Sequence, residues 1–335
     1  MLVVLGALAL AAAATGVVWA GSTRLERSAD RLAAHYRLPP VVQGAVVAAV
    51  GSSFPEFSSA VIATLVHGEF ELGVAAIVGS AVFNILVIPA ASTLAASGPL
   101  GTNRNLVYKE AQFYMLSVAV LLLTFAFAVI YHPTEGLSGE FTPQLAAIPL
   151  ALYGLYLFLQ YQDTGEYRAD APHADVDVVK HWATLAVSLL VILVGVEALV
   201  RAALTLGDAL GTSAFLWGLT VIAAGTSLPD AIVSVQAARA DNATTSLANV
   251  LGSNVFDLLV AVPAGVLVAG GTVINFERAA PMMAVLVFAT IALFALVRTD
   301  LELTRREATS LLALYAAFVV WLALETLAIT NLVPT

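Results

Sequence analysis

The chain has 335 residues, of which 60% are hydrophobic and 11% are charged, and its formal net charge at pH 7 is −9. Soluble domains carry about 25% charged residues, so this composition excludes an ordinary soluble protein. The absence of cysteine excludes disulfide bonds, thiolate catalysis and cysteine-based metal sites. We therefore interpret the chain as an integral membrane protein that contacts a lipid bilayer, and we expect no nucleic-acid partner.

Ten apolar stretches follow one another along the chain, each about as long as the roughly 20 residues that a helix needs to cross a bilayer. The first has no Lys or Arg before its apolar run, which favours a retained membrane helix over a cleaved signal peptide. The predicted fold class is an all-α integral membrane protein with ten transmembrane helices. The stretches lie at residues 2–22, 41–66, 72–97, 107–131, 143–161, 182–204, 212–238, 243–269, 279–298 and 307–328.

Basic residues are distributed unevenly between the two sides of this membrane protein. With the N-terminus outside, twelve of the 14 Lys and Arg residues fall on cytoplasmic segments, and only Arg201 and Arg278 fall outside. Under the positive-inside rule, both termini are therefore predicted to lie outside the cell membrane. Arg24, Arg27 and Arg31 continue the first helix into the cytoplasm, where we expect them to contact lipid headgroups.

Two polar motifs each occur twice in the apolar stretches. GSSFPE at residues 51–56 returns as GTSLPD at 225–230, and GSAVFN at 79–84 returns as GSNVFD at 252–257. The copies are separated by 174 positions (225 minus 51) and 173 positions (252 minus 79), so both motifs belong to one long repeated unit. Polar residues at membrane depth are costly in hydrocarbon, so they indicate a functional site.

The two copies of the unit are predicted to be inverted relative to each other. Each half holds five helices, an odd number, so the second half enters the membrane from the opposite side. The halves are residues 1–161 and 180–335, joined by an acidic cytoplasmic linker at 162–179. Secondary transporters with this architecture bind their substrates near the bilayer midplane, between the repeats.

Each copy of the first motif places a proline beside hydroxyls and a carboxylate. Proline has no amide hydrogen, so Pro55 and Pro229 each leave the carbonyl oxygen four residues earlier without its helical partner. Ser52 and Ser53 lie four and three residues before Glu56, so the three side chains share one helix face. Together the four segments supply an anionic set of oxygen atoms, which hard cations such as Ca²⁺ and Na⁺ prefer. The candidate ligands are Glu56, Asp230, Asp257, Asn84, Ser52, Ser53, Thr226, Ser227, Ser80 and Ser253.

A purely structural or a catalytic role for these side chains is less well supported. A single hydroxyl in a membrane helix often bonds its own backbone or a neighbouring helix, but packing does not require Glu56, Asp230 and Asp257 within repeated motifs. Glu197 and Glu325 lie towards helix ends, where we expect them to reach the membrane interface. An ion channel would use similar oxygens but would conduct without a counter-ion. A hydrolase is disfavoured because no His or Lys lies near the serines, so we expect no enzyme activity and no cofactor.

The motif pairs resemble the alpha repeats of the calcium/cation antiporter superfamily, in its sodium/calcium exchanger group. The resemblance implies that the second, third, seventh and eighth helices surround the ion site, while the first and sixth slide to give alternating access. It also implies that Glu56 and Asp230 are ligands shared by Ca²⁺ and Na⁺. The six Ser and Thr candidates would add hydroxyl oxygens, and Asn84 and Asp257 would complete the centre.

The coupling ion is less clearly indicated by the motifs. Asp230, Asp257 and the GSAVFN copy are more similar to the potassium-dependent sodium/calcium exchangers, whereas proton/calcium exchangers typically have Asn where this chain has Ser52 and Thr226. The predicted function is exchange of Ca²⁺ for Na⁺ by a monomer. Co-transport of K⁺, and H⁺-coupled exchange of Ca²⁺ or another divalent cation, remain alternatives.

Overall fold

The computed structural model describes residues 1–36, 49–104, 106–163, 176–240, 243–327 and 329–330. The helices are α1 (Leu2–His35), α2 (Ala49–Ser52), α3 (Phe54–Leu65), α4 (Phe70–Leu86), α5 (Ile88–Ala95), α6 (Ala111–Tyr131), α7 (Pro143–Asp163), α8 (Val178–Leu210), α9 (Ala214–Trp217), α10 (Ala223–Arg239), α11 (Ala243–Phe256), α12 (Val262–Ala269), α13 (Phe276–Arg298) and α14 (Arg305–Thr326). The strands are β1 (Leu100–Gly101), β2 (Ser138–Phe141), β3 (Thr272–Asn275) and β4 (Glu302–Leu303). π-Helical turns span Leu106–Glu110, Gly218–Ile222 and Asp257–Ala261.

The predicted membrane helices are present. Within the described ranges, nine segments are long and apolar enough to cross a membrane. The remaining predicted helix, at 41–66, corresponds to α2 and α3, and its first residues lie outside the described part of the chain. The predicted fold class is confirmed, with four short strands as an addition. Most of the predicted linker at 162–179 also lies outside the described residues, so the domain boundaries stay a prediction.

The short strands show that the two repeats are inverted. β1 and β2 lie at opposite ends of α6, and β3 and β4 lie at opposite ends of α13. β1 pairs antiparallel with β4, and β2 pairs antiparallel with β3, so the protein has a β1–β4 face and a β2–β3 face. β1 and β3 each connect the third and fourth helices of their own half, yet they lie on opposite faces. This pairing confirms the inverted topology.

The long helices α1 and α8 pack antiparallel at the periphery. Gly211 directly follows α8 and lines a surface pocket together with Glu71 of α4. Glu71 Oε1 accepts a hydrogen bond from the backbone amide of Asn275, the last residue of β3, at 2.7 Å. The C-terminal end of α8 therefore lies at the β2–β3 face. Trp182 lies near the start of α8, and its Nε1 donates to the hydroxyl of Tyr36, which directly follows α1, at 3.2 Å. The start of α8 and the end of α1 therefore lie together at the β1–β4 face. Both helices are longer than predicted.

Repeat-related glycines allow α1 and α8 to approach closely. A Cβ on Gly21 would lie 2.7 Å from Ile192 Cγ1, and one on Gly195 would lie 2.8 Å from Val18 Cγ2. Gly21 and Gly195 are separated by the same 174 positions as the first motif pair. Small residues at a helix crossing permit this backbone approach in membrane proteins. The two helices therefore form a symmetric pair.

The motif-bearing helices form the centre of the protein. Within the Phe70–Ala95 span, 83% of an apolar segment of 18 residues is buried inside the protein, and the corresponding value for Ser246–Ala269 is 78%. The corresponding fraction for α1 is only 22%. The polar motifs are therefore enclosed by protein. Most of the apolar length of α1, by contrast, lies on the outer surface of the protein.

A substitution at Gly79 tests the packing of this centre. A methyl group there would collide with the carbonyl oxygen of Leu219 and lie 2.8 Å from Ala223 Cβ. Backbone atoms cannot rotate away, so Gly79→Ala should lower the free energy of unfolding by about 1–3 kcal/mol. The measurement is thermal unfolding of the purified protein in detergent.

The control is Gly154→Ala in α7, where the glycine is exposed and an added Cβ meets nothing within 4 Å. This variant should melt at or slightly above the wild-type temperature, because alanine favours the helix. Equal melting temperatures for the two variants would contradict the close contact at Gly79.

Candidate cation site

All ten candidate ligands are buried in the centre of the protein. None of them is more than 3% exposed. Glu56 lies on α3, Ser80 and Asn84 lie on α4, Asp230 lies on α10, and Asp257 begins the π-helical turn after α11. π-Helical turns are rare and occur frequently at functional sites. Burial places the ten side chains where the sequence predicts a site, and cation binding by them stays a prediction.

The two copies of the first motif fold differently. In the first copy α2 ends at Ser52 and α3 begins at Phe54, so the helix is interrupted at Ser53. Pro55 then falls in the first turn of α3, where its missing amide hydrogen leaves no helical bond unmade. Glu56 lies in the same turn, where the helix dipole favours negative charge. In the second copy α10 continues through Pro229 and is preceded by a π-helical turn.

Hydroxyl groups join the two repeats at the site. Ser52 Oγ and Ser253 Oγ are 2.9 Å apart, and Ser80 Oγ and Ser227 Oγ are 2.6 Å apart. Ser53 Oγ also donates to the Ser253 carbonyl oxygen at 3.4 Å. Each contact links the first motif of one half to the second motif of the other half, as the inverted repeat requires. These hydroxyls thus hold the four motif segments together.

The carboxylates are largely left without hydrogen bonds. Ser80 Oγ donates to Glu56 Oε1 at 3.3 Å. The other oxygen of Glu56, and both oxygens of Asp230 and of Asp257, form no hydrogen bond of good geometry with the residues that the structure describes, although Ser52 and Ser253 lie beside Asp230 and Ser53 lies beside Asp257. Burying an unpaired carboxylate is expensive, because the charge loses its hydration without gaining a partner. A bound cation would supply the missing positive charge.

Asn254 is a neighbour of the candidate ligands that the sequence analysis missed. It is fully buried, and its Oδ1 accepts from Asn84 Nδ2 at 2.9 Å. Its own amide nitrogen lies 3.4 Å from the carbonyl oxygen of Ala81. Asn84 Oδ1 has no partner among the described residues, so Asn254 orients an amide oxygen that is free to bind a cation. The available signal was its place in the second motif, where the first copy has Ala81.

The three carboxylates do not converge on one point. Within the described ranges, no group of three or more His, Asp or Glu side chains is close enough to hold a single metal ion. A cation here would therefore take one or two carboxylates, with hydroxyl, amide or backbone oxygens completing its coordination.

Glu197 and Glu325 are held by protein partners. Glu325 is only 2% exposed, and its Oε2 accepts from Thr330 Oγ1 at 2.5 Å, so the expectation that it reaches the interface is wrong. Glu197 Oε2 lies 2.9 Å from His67 Nε2, and its Oε1 accepts from Arg201 Nε at 2.5 Å. Partners from nearby segments satisfy both carboxylates away from the central site.

Comparison with known proteins gives a consistent family assignment. A family model described as sodium/calcium exchanger protein matches residues 6–162 and 180–324. An uncharacterised membrane protein of Methanocaldococcus jannaschii is 28% identical over 300 residues, which cover 89% of this chain and 92% of that protein.

Two solved membrane exchangers have a similar fold. The sodium-calcium exchanger NCX_Mj is 26% identical, with a TM-score of 0.65 and coverage of 95% of this chain and 99% of that chain. The H⁺/Ca²⁺ exchanger CAX has a TM-score of 0.72 and 16% identity, over 96% of this chain and 85% of that chain. The likeness to CAX shows the fold alone.

The role of Asn254 can be measured by equilibrium binding of ⁴⁵Ca²⁺ to the purified protein. Asn254→Ala removes the group that orients Asn84, so the dissociation constant for Ca²⁺ should rise about tenfold, the equivalent of about 1.4 kcal/mol. Asn249→Ala is the matched control, because Asn249 lies on the same helix but contacts Ser234, at 3.4 Å. An equal change in both variants would contradict a specific role for Asn254.

Proposed function

Because the chain belongs to the sodium/calcium exchanger protein family, we propose that it exchanges Ca²⁺ for Na⁺ across a membrane by alternating access. The observation that carries this proposal is the set of three carboxylates, on Glu56, Asp230 and Asp257, that are buried with only Ser and Thr hydroxyl groups as side-chain hydrogen-bonding neighbours among the described residues. An all-oxygen site with this charge matches the preference of Ca²⁺ and Na⁺. The 26% identity to a solved sodium-calcium exchanger supports Ca²⁺ and Na⁺ as the two exchanged ions.

The charge of the site explains why exchange would be obligatory. With Glu56, Asp230 and Asp257 ionised, the centre holds about three negative charges, enough for one Ca²⁺ or a few Na⁺ but not for both sets together. The two ions therefore compete for the same oxygens. An empty site would leave unpaired charges in a low-dielectric interior. The protein therefore switches between the conformations open to its two faces only when cations occupy the site.

The α1–α8 pair is the moving part in this proposal. Gly225 of the first motif on α10 is contacted from both helices, since an added Cβ would lie 2.9 Å from Thr15 Oγ1 of α1 and 2.9 Å from Leu199 Cδ1 of α8. A shift of the pair along α10 would therefore change the walls of the site directly. The symmetric crossing at Gly21 and Gly195 lets the pair move as one body.

The faces are assigned by charge. We place the β1–β4 face, where α1 ends with Arg24, Arg27 and Arg31, in the cytoplasm, and the β2–β3 face outside. Both termini then lie on the outer side of a cell membrane, opposite the cytoplasm, in agreement with the positive-inside rule. The protein is proposed to work as a monomer.

Flux measurements in proteoliposomes test the function. Ca²⁺ uptake should follow an outward Na⁺ gradient in the wild type and should be abolished by Glu56→Gln, which removes the charge that both ions need. Asp230→Asn should have the same effect. Glu277→Gln is the control, because Glu277 is exposed at the start of α13 and should leave the flux unchanged.

Two results would contradict the proposed exchange. One is near-normal Na⁺-driven flux in Glu56→Gln. The other is wild-type Ca²⁺ uptake that follows a pH gradient and ignores Na⁺, which would establish the proton-coupled alternative.

A second flux measurement addresses potassium. Asp257 stands where the first repeat has Asn84, so one repeat carries an additional charge, and we propose that this charge accommodates K⁺ beside Ca²⁺. Replacing K⁺ by an impermeant cation should slow wild-type exchange, and Asp257→Asn should lose this K⁺ dependence while it keeps most of its Ca²⁺ affinity. Equal wild-type rates with and without K⁺ would remove K⁺ from the mechanism.

A further inference from the structure

A polar contact joins α8 to the turn between α3 and α4. Glu197 lies on α8, and its Oε2 is 2.9 Å from Nε2 of His67 in that turn. Among the described residues, no other side-chain hydrogen bond joins α8 to the central, motif-bearing helices. The packing around the contact is apolar, and Ala63 of α3 lies in one buried cluster with Val196 and Leu199 of α8. Apolar packing has no preferred direction, whereas a hydrogen bond does, so this contact fixes the position of α8 along α3.

The contact is shielded from water and held in place. The side chain of His67 is 17% exposed and that of Glu197 is 25% exposed, so water and salt screen this pair less than they screen a surface pair. Arg201, one turn further along α8, donates from Nε to the other oxygen of Glu197 at 2.5 Å. This second bond leaves Oε2 of Glu197 for His67. The carboxylate is therefore oriented for the contact by its own helix.

The strength of the contact depends on the protonation of His67. Imidazole changes its charge between about pH 5 and 8, and a protonated ring binds a carboxylate more strongly than a neutral ring does. The turn lies at the β2–β3 face and carries one further charged side chain, Glu69, which is exposed. Glu71, which follows on α4, is bound to Arg278 at 2.9 Å. Acid at the β2–β3 face therefore strengthens the bond between His67 and Glu197.

The contact has no ionic equivalent in the other repeat. At the 174-residue offset of the first motif pair, Glu197 corresponds to Thr23 of α1, and His67 corresponds to Asp241, which lies outside the described residues. Thr23 carries no charge, and its hydroxyl bonds within its own helix, to the carbonyl oxygen of Trp19 at 2.9 Å. In an inverted repeat, the two conformations of the cycle exchange the environments of the two halves. A contact present in one half therefore stabilises one conformation over the other.

We propose that His67 and Glu197 form a latch, which holds α8 against α3 at the β2–β3 face and opens in every transport cycle. The proposal rests on the movement of the α1–α8 pair in the proposed function. Glu56 lies on α3, eleven residues before His67 (67 minus 56), so the latch joins the helix of a candidate ligand to a helix that moves past it. A slide of several ångströms would separate Nε2 from Oε2, because a hydrogen bond is lost beyond about 3.5 Å. Protons at the β2–β3 face strengthen the latch and slow exchange.

Exchange of ⁴⁵Ca²⁺ for unlabelled Ca²⁺ across proteoliposome membranes measures this movement without Na⁺ and without a pH gradient. The measurement therefore separates the latch from the coupling ion. A wild type that exchanges Ca²⁺ in this way but ignores Na⁺ gradients would contradict the proposed Na⁺/Ca²⁺ exchange, and the two latch experiments would still be decisive.

Cross-linking tests whether the latch must open. The chain has no cysteine, so introduced pairs can be joined without background reaction. When His67→Cys and Glu197→Cys are joined by a short, reducible bifunctional thiol reagent, Ca²⁺ exchange should stop, and reduction should restore it. The matched control joins Tyr36→Cys to Trp182→Cys, whose native side chains meet at 3.2 Å between α1 and α8, and it should stay active because these helices move together. Full activity of the first cross-linked pair, or equal loss in both pairs, would overturn the proposal.

The pH dependence of the same exchange tests the role of the imidazole. With equal pH on both sides, lowering the pH from about 8 to about 6 should slow the wild type about fivefold more than His67→Gln, the equivalent of about 1 kcal/mol. Glu197→Gln should lose the same additional slowing, because the carboxylate charge is gone. His132→Gln is the matched control, since His132 is exposed beside β2 at the same face, and it should keep the wild-type profile. Identical pH profiles of the wild type and His67→Gln would overturn the proposal.

Discussion

Burying unpaired carboxylates at membrane depth is costly, and this cost governs how the centre of the protein is built. Ionised side chains in such surroundings require partners, and among the described residues Asp230 and Asp257 have only Ser hydroxyl groups as hydrogen-bonding neighbours. The hydroxyls around them bond mainly to one another, as in the pairs Ser52–Ser253 and Ser80–Ser227, so the segments are held together while most carboxylate oxygens stay free. In the proposed function, the stability of the centre would thereby depend on a bound cation.

The inverted repeat provides this arrangement with few kinds of contact. The repeated unit, inserted in opposite directions across the membrane, gives two matched hydroxyl contacts between the motifs, two matched strand pairs and one symmetric crossing of α1 with α8. Symmetry also explains how access can alternate, because a movement that opens one face is equivalent to its opposite at the other face. One departure from this symmetry lies in the second motif, where Asp257 of one repeat corresponds to Asn84 of the other, so the two halves of the candidate site differ in charge.

Much of this structure could be predicted from the sequence because its strongest signals are local. Membrane helices follow from long apolar runs, and a repeated motif such as GSSFPE and GTSLPD marks the site. The strand pairs could not be predicted, since ladders of two to four residues between distant segments have no periodic pattern. Asn254 was missed because its role depends on a contact with Asn84 across the repeat, and Glu325 because its partner, Thr330, follows the last helix.

In the proposed exchange, Ca²⁺ and Na⁺ occupy the same buried carboxylate oxygens in turn. The most direct measurement of this competition is equilibrium binding of ⁴⁵Ca²⁺ to the purified wild-type protein over a series of Na⁺ concentrations. We expect the apparent dissociation constant for Ca²⁺ to rise without limit as Na⁺ increases, and more steeply than in proportion, because more than one Na⁺ replaces each Ca²⁺. A dissociation constant that reaches a plateau, with both ions bound together, would contradict the shared occupancy.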